Sequence, residues 1–247
     1  MSFVYAFGTD VQDLPVTSGL LAWYDARDVA RITFGSGTAV SQWNDKSGSG
    51  NHASQGTAAS QPAWTENVLK SKPVVRFNDD RLNCGTVILT GTSARTTICV
   101  VQASPSAPGF NAILSLSEST TAGEGYDVVT GASTGKLAVL VNSGNRIFNE
   151  TAESTTNFFV VSILNPTTPN TDNTYGALHQ VALTVASTAA RAISTGNTGV
   201  TRLGQNLANS STNALVGDLC ELVFYNRELS AAEVIAVENY LRGKWII

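Results

Sequence analysis

Clusters of Gly, Asn, Ser and Pro divide the sequence into short apolar runs, and this division restricts the fold more than any other feature. Residues 158–164, "FFVVSIL", are apolar on both faces, as expected for a strand covered on both sides. The apolar runs do not alternate with helical segments, as the strands of a parallel sheet would. The sequence therefore predicts an all-β fold, a two-sheet antiparallel sandwich. We predict strands at 19–26, 73–78, 96–103, 111–117, 125–131, 136–142, 157–165, 177–185, 201–206 and 217–226.

The segment after the last predicted strand has a different pattern. Ser230 is followed three residues later by Glu233, which is the signature of a helix-capping box. Gly243 is predicted as the residue just past the helix end. Apolar side chains recur on one helical face, namely Val234, Val237 and Leu241. We predict a short C-terminal helix that covers the sandwich.

Composition limits the classes of partner. Charged residues are only 14% of the chain, the formal net charge is −4, and no basic stripe is present. We therefore expect no nucleic-acid partner. The first residues lack the features of a Sec signal peptide, and no apolar run is long enough to span a membrane. The odd count of three cysteines predicts buried thiols rather than a disulfide framework.

Four segments together resemble a known family. They are "LLAWYDARD" (20–28), "VSQWNDKSGSGNHA" (40–53), "KPVVRFN" (72–78) and "GDLCELVFYNRELSAAEVIAVENYLRGKW" (217–245). They resemble the concanavalin A-like, laminin G-like jelly-roll superfamily in its bacterial and phage variants. The resemblance implies one jelly-roll domain over residues 19–247, preceded by an N-terminal arm over residues 1–18. Members of that superfamily bind ligands on the concave face or its rim loops, and they include lectins, carbohydrate-binding modules, adhesion domains and some glycoside hydrolases.

An enzymatic activity is not expected. Hydrolases of this superfamily place their carboxylates on alternate residues of one strand, and this sequence has no such stretch. Asp218 and Glu221 are three residues apart in the last strand, so we expect them to point to opposite faces. The two histidines, His52 and His179, lie near no nucleophile elbow and have no zinc-binding spacing.

The resemblance also implies that calcium is the metal to consider, because laminin G-like sandwiches often hold it with loop oxygens. The candidate ligands are Asn44, Asp45, Asn51, Asp79 and Asp80. The alternative for the stretch 42–55, which we favour, is a structured turn in which Asn44 and Asp45 form Asx turns. The family motif makes Trp43 a core residue.

A glycan site would combine an exposed aromatic ring with amide and carboxyl groups. The candidate stacking residues are Trp64, Phe110, Tyr126 and Tyr175, and the candidate hydrogen-bonding residues are Asn111, Asp127, Asp172 and Asn173. The alternative for each is packing at the rim of the sandwich.

Taken together, these features favour a non-enzymatic structural or adhesion module on a particle surface. We hypothesise a phage virion component, such as a decoration, head-fibre or tail protein, with glycan binding as its activity. Its partners would be capsid or tail subunits bound through the arm, a cell-surface glycan, and further copies of itself in a homo-oligomer. The alternatives are a free-standing extracellular lectin, exported by a route that the sequence does not show, and a glycoside hydrolase.

Overall fold

Eighteen strands and one α-helix make up the part of the chain that the computed structural model describes, namely residues 13–107, 109–116, 124–131, 135–142, 144–206 and 213–247. The strands are β1 (Leu20–Asp25), β2 (Ile32–Phe34), β3 (Val40–Trp43), β4 (Ala53–Ser54), β5 (Ala63–Leu69), β6 (Lys72–Asn78), β7 (Leu82–Cys84), β8 (Arg95–Ala103), β9 (Asn111–Leu116), β10 (Tyr126–Thr130), β11 (Lys136–Val141), β12 (Gly144–Thr151), β13 (Phe159–Asn165), β14 (Tyr175–Leu178), β15 (Val181–Ala182), β16 (Val185–Ala189), β17 (Thr201–Leu203) and β18 (Val216–Tyr225). The helix is α1 (Ala231–Trp245), and short 3-10 turns occupy Val29–Arg31, Ala58–Ser60 and Thr171–Asn173. No described helix has the length and apolar character needed to cross a membrane.

The described strands form two antiparallel sheets that stack as a sandwich, as predicted. The smaller sheet has eight strands in the order β15-β14-β13-β8-β18-β6-β5, with β1 beside the second half of β18. The larger sheet has ten strands in the order β16-β12-β11-β10-β9-β17-β7-β4-β3-β2. In β11, Leu137, Val139 and Val141 point into the core between the sheets. Cys84, Cys99 and Cys220 are buried free thiols, which confirms that prediction.

The helix covers the outer face of the smaller sheet. Its capping box is present as predicted, with Ser230 accepting the N–H of Glu233. Ser162 of β13 donates to the buried carboxyl of Glu238 on α1. Strand β13 is therefore covered on both faces, as its apolar sequence predicted. The predicted end at Gly243 is wrong, because the helix continues to Trp245 and Ile246 is the left-handed cap.

A bulge in β18 overturns another expectation. The register shifts between Leu219 and Glu221, so that Asp218 lies opposite Gln102 and Glu221 lies opposite Val100. Because Gln102 and Val100 are two residues apart on β8, Asp218 and Glu221 share the outer face of the smaller sheet. The prediction of opposite faces is wrong, since it assumed a regular strand.

The predicted strand at 177–185 is instead a hairpin followed by a crossing to the other sheet. Strands β14 and β15 are joined by His179 and Gln180, whose φ angles are 50° and 69°. Such a two-residue turn with two positive φ angles usually contains Asn or Gly, so nothing in these residues signals it. It is tied to α1 by the hydrogen bond from Gln180 Nε2 to Asn239 Oδ1 at 2.6 Å.

Under α1 lies a buried group of charged and indole side chains. Both Trp23 Nε1 and Trp245 Nε1 donate to the carboxylate of Glu221 at 2.7 Å. Lys244 Nζ lies 2.7 Å from Glu221 Oε2 and 2.7 Å from Asp25 Oδ2. Lys244 thus joins the carboxylates of β1 and β18 to α1 in one buried cluster, which makes the helix part of the domain core.

The loop 44–51 closes the free edge of β1. The carboxylate of Asp45 accepts the backbone N–H of Trp23 at 2.9 Å, and Lys46 N–H donates back to Trp23 O at 2.8 Å. Lys46 Nζ also lies 2.9 Å from Asp25 Oδ2. Although burial opposes it, the ammonium groups of Lys244 and Lys46 lower the pKa of Asp25. The edge of β1 is thereby paired, so it cannot add a strand from another chain.

The turn between β5 and β6 gives a test of backbone strain. Lys70 and Ser71 join the strands with φ angles of 49° and 62°, and both side chains are exposed. The double change Lys70→Asn, Ser71→Gly should raise the free energy of unfolding by about 1–2 kcal/mol, because Asn and Gly adopt this conformation at lower cost. Urea unfolding measures this change in the free energy of unfolding. An unchanged or lowered stability would show that the turn carries no such strain.

The cluster under α1 gives a test of the core. Lys244→Met should lower the free energy of unfolding by about 3–5 kcal/mol, because the carboxylates of Glu221 and Asp25 would be left buried without their cation. The matched control is Lys136→Met on β11, at a half-buried site, which should change stability by less than about 0.5 kcal/mol. Equal effects of the two substitutions in urea unfolding would contradict the central role of Lys244.

Candidate functional site

Polar side chains from neighbouring strands form one row across the outer face of the larger sheet. The strand register places one residue of each strand directly beside the next. Each of them alternates along its strand with a residue of the core, so that the row points away from the smaller sheet. In order across the sheet, the row consists of Thr33, Gln42, Ser54, Asn83, Arg202, Ser115 and Asp127.

The first five members of this row form its open half, where the side chains are half-buried or exposed. Arg202 Nε donates to Asn83 Oδ1 at 2.8 Å. Arg202 Nη1 and Arg81 Nη1 each lie 3.4 Å from Gln205 Oε1. Gln205 Nε2 donates in turn to Asp79 Oδ1 at 3.2 Å. Amide, hydroxyl and guanidinium groups are therefore presented together on an accessible surface.

The closed half is built around Asp127. Ser115 Oγ donates to one carboxyl oxygen of Asp127, and Asn206 Nδ2 donates to the other at 2.7 Å. Burial raises the pKa of Asp127 to about 7, although both hydrogen bonds oppose the shift. A small apolar cluster, made by Ala112, Val129 and Ala138, lies on the same face. The closed half is therefore a buried part of the outer face, and it adjoins the open half.

The structure separates the residues predicted to bind a glycan. Trp64 lies on β5, half-buried against Phe34 with ring centroids 5.9 Å apart, and its Nε1 donates to Ala26 O. Tyr175 begins β14 and is 57% exposed, three residues after the exposed Asp172. Strands β5 and β14 stand near opposite ends of the smaller sheet. These two aromatic residues therefore belong to different places on the surface.

The remaining glycan candidates lie elsewhere again. Tyr126 is fully buried, with Arg95 stacked 5.0 Å from its ring centroid. Asn111 is also fully buried and donates to Glu153 Oε1 at 2.7 Å, while Phe110 packs on the small apolar cluster. The amide of Asn173 completes the capping box of the 3-10 turn Thr171–Asn173. Of the predicted residues, Asp127 is the one that lies in the polar row.

The calcium candidates divide into two groups. The carboxylate of Asp45 accepts four hydrogen bonds of 2.7–3.0 Å, from Trp23 N, Ser47 N, Ser47 Oγ and Asn51 N. Asn44 Oδ1 accepts from Gln42, and Asn51 Nδ2 donates to Leu21 O. Gly48 and Gly50 have φ angles of 89° and 77°, as the turn interpretation requires. These contacts support the structured turn for residues 42–55.

The second group of calcium candidates lies at the turn between β6 and β7. Asp79 Oδ1 accepts from Gln205, and Asp80 Oδ2 accepts the backbone N–H of Asn78 at 2.9 Å. Among the described residues, no group of three or more His, Cys, Asp and Glu side chains is placed to hold a metal ion. Calcium binding stays a prediction.

No family model and no curated protein matches the sequence. Solved structures match the fold. Domain 4 of AbnA, a GH43 extracellular arabinanase from Geobacillus stearothermophilus, solved in complex with arabinotriose, aligns with a TM-score of 0.63 and 12% identity over 89% of this chain and 98% of that chain. The binding domain of Botulinum neurotoxin serotype D aligns with a TM-score of 0.56 and 11% identity over 92% of this chain and 52% of that chain.

A third similar structure is an arabinofuranosidase complexed with arabinofuranosyl-alpha-1,2-xylobiose, with a TM-score of 0.56 and 17% identity over 81% of this chain and 50% of that chain. This chain thus aligns with about half the length of the neurotoxin and arabinofuranosidase chains. At these identities the alignments establish the β-sandwich fold. Membership of the concanavalin A-like superfamily stays a prediction.

The raised pKa of Asp127 predicts a pH-dependent stability. Its carboxyl binds a proton more tightly in the folded than in the unfolded chain, so its contribution to stability falls as pH rises from about 4 to about 7. Asp127→Asn cannot titrate, so the stability of the variant relative to the native chain should increase between pH 4.5 and pH 8, by on the order of 2–4 kcal/mol. Urea unfolding at both pH values measures this difference. A pH-independent difference would contradict the assignment.

Proposed function

We propose that this chain is a carbohydrate-binding β-sandwich module that holds a glycan along the open half of the polar row. The observation that carries the proposal is the alignment of Gln42, Ser54, Asn83 and Arg202 across four adjacent strands. Adjacent strands are about 4.8 Å apart, so the row offers a regular series of hydrogen-bonding groups. A chain of sugar hydroxyls is a ligand with a matching regular series of donors and acceptors.

The chemistry of the row suits hydroxyl recognition. Amide side chains donate and accept at once, as Asn83 and Gln42 can, and hydroxyls such as Ser54 do the same. The row lies on an open face, which fits an extended polymer better than a small enclosed ligand. The arabinanase domain and the arabinofuranosidase that share the fold were solved with arabinose-containing oligosaccharides, which adds support for a glycan ligand.

We propose binding without hydrolysis. Glycoside hydrolysis requires two carboxyl groups that flank the scissile bond. Asp218 is held by Arg76 in a two-bonded ion pair at 2.7 and 2.8 Å, and Glu221 is fully buried under α1. Both lie on the smaller sheet, away from the polar row. Both oxygens of Asp127, in turn, accept hydrogen bonds from Ser115 and Asn206.

We further propose that the module works on a particle surface, as a virion component that docks onto capsid or tail subunits through its N-terminal arm. The support is the low charge and the apolar, aromatic sequence of the arm. Leu14 and Val16 belong to the core, and Tyr225 donates to Val16 O at 2.9 Å. The docking segment is therefore best assigned to residues 1–12, and a truncation that tests it should stop before Leu14.

The proposal is tested with a glycan array followed by calorimetry on the best ligand. Asn83→Ala and Gln42→Ala should each weaken binding by about tenfold, since each removes hydrogen bonds to the ligand. The matched control is Asn157→Ala, at an exposed amide before β13, which should leave the affinity unchanged. The proposal fails if no glycan binds, or if all three variants bind alike. Turnover of the bound polysaccharide would overturn the non-enzymatic part.

A further inference from the structure

Lys244 carries a buried primary amine that meets the carboxyl groups of two other elements. Its Nζ lies 2.7 Å from Asp25 Oδ2 on β1 and 2.7 Å from Glu221 Oε2 on β18. The side chain of Lys244 is 9% exposed, that of Asp25 is 5% exposed, and that of Glu221 is fully buried. Because Oδ2 is bonded to Cγ of Asp25, the nitrogen lies within about 4 Å of that carbon. A nucleophile, a carboxyl carbon and a second carboxyl group thus meet in a protected place.

Aromatic rings surround this amine. The ring centroids of Tyr240, Trp23 and Trp245 lie 5.2, 5.8 and 6.0 Å from Lys244 Nζ, and all three residues are buried. Rings packed in this way exclude bulk water from the amine and the carboxyl groups. Exclusion of water favours a condensation that releases water, and it protects the product from hydrolysis.

The two oxygens of Asp25 have different partners. Oδ1 accepts the backbone N–H of Arg27 at 3.0 Å, and Oδ2 accepts the ammonium of Lys46 at 2.9 Å. A backbone N–H is the kind of donor that stabilises the negative charge developing on an oxygen during attack on its carbon. The ammonium of Lys46 draws negative charge from the other oxygen. Oδ1 is therefore placed to remain on the carbon, and Oδ2 is placed to leave it.

We propose that Lys244 and Asp25 condense to an intramolecular amide, with Glu221 as the group that transfers the protons. Glu221 takes a proton from the Lys244 ammonium, and the neutral amine attacks Cγ of Asp25. The Nζ–Cγ bond forms and the Cγ–Oδ2 bond breaks. Oδ2 leaves as water with two protons that came from the ammonium, delivered through Glu221. Oδ1 becomes the amide oxygen, Glu221 is a carboxylate again at the end, and no further reactant takes part.

Glu221 is suited to this transfer by its surroundings. Burial and the nearby Asp25 raise the pKa of Glu221, against the opposing effect of Lys244, so its carboxyl holds a proton more readily than an exposed one. The indole N–H groups of Trp23 and Trp245 fix the carboxyl in place at 2.7 Å each. The N–H of the new amide would donate to Glu221, as the ammonium does in the ion pair.

Lys46 is the other amine at Asp25, and it lacks this arrangement. In the described part of the chain it pairs with Asp25 and Asp28, and no ion pair or hydrogen bond joins it to Glu221. The amide is therefore assigned to Lys244, which lies 219 positions from Asp25. A cross-link over so long a loop restricts the unfolded chain and keeps β1 joined to α1.

Mass spectrometry of the purified chain tests the proposal. The intact native chain should weigh less than its sequence by the mass of one water. Digestion with trypsin should give a branched product in which residues 1–27 are joined to residues 243–247, because Arg27 and Arg242 are the neighbouring cleavage sites. A folded native chain that keeps its full mass after prolonged incubation at neutral pH would overturn the proposal. A branch at Lys46 instead of Lys244 would overturn it as well.

Two substitutions separate the chemistry from the fold. Lys244→Arg keeps the cation without a nucleophilic amine, and Glu221→Gln keeps the shape without the proton carrier, so both variants should retain the full mass. The matched control is Lys136→Arg on β11, which should lose one water like the native chain. Circular dichroism and thermal melts verify that each variant is folded. Loss of water from Lys244→Arg would overturn the assignment of the amine, and loss from Glu221→Gln to the native extent would overturn the role of Glu221.

Discussion

The carboxylate of Glu221 is the point at which the distant parts of the chain are joined. It accepts two indole N–H groups and the ammonium of Lys244, so that β1, β18 and α1 depend on one buried anion. A buried carboxylate is tolerated only when charge and hydrogen bonds compensate its lost hydration. Burial and the nearby Asp25 raise the pKa of Glu221, against the opposing effect of Lys244. This cluster fixes α1 on the outer face of the smaller sheet, and the polar row lies on the larger sheet, which α1 does not cover.

The sequence predicts those parts of the fold in which core and outer residues recur with a regular period. Strand β11 alternates cleanly between core and outer positions, and the helix begins at a capping box. The bulge at Cys220 and the turn at His179 and Gln180 break the period without Gly, Asn or Pro to signal it. Short strands such as β4 and β7 have too few residues for a period to be detected. Their pairing is imposed by the neighbouring strands, which is tertiary information.

The candidate site is harder to predict for a related reason. Its central hydrogen bond joins Asn83 to Arg202, which are 119 positions apart in the sequence. Only the order of the strands, with β17 between β9 and β7, brings them together. The sequence does show that Arg202 alternates with Thr201 and Leu203 in a predicted strand, which places it on an outer face. The pattern typical of glycan sites, exposed aromatic rings near loops, instead predicts Trp64 and Tyr175, which lie near opposite ends of the smaller sheet.

The two halves of the polar row are electrostatically compatible because Asp127 resists ionisation. Asp127 lies two strands from Arg202, with Ser115 between them, and an ionised carboxylate there would attract the guanidinium groups of the open half. Burial raises the pKa of Asp127 to about 7. Below neutral pH its carboxyl is therefore mostly protonated and attracts these guanidinium groups less. Ser115 and Asn206 occupy its oxygens and orient it within the sheet. The same desolvation therefore makes Asp127 a weaker partner for the guanidinium groups of the open half.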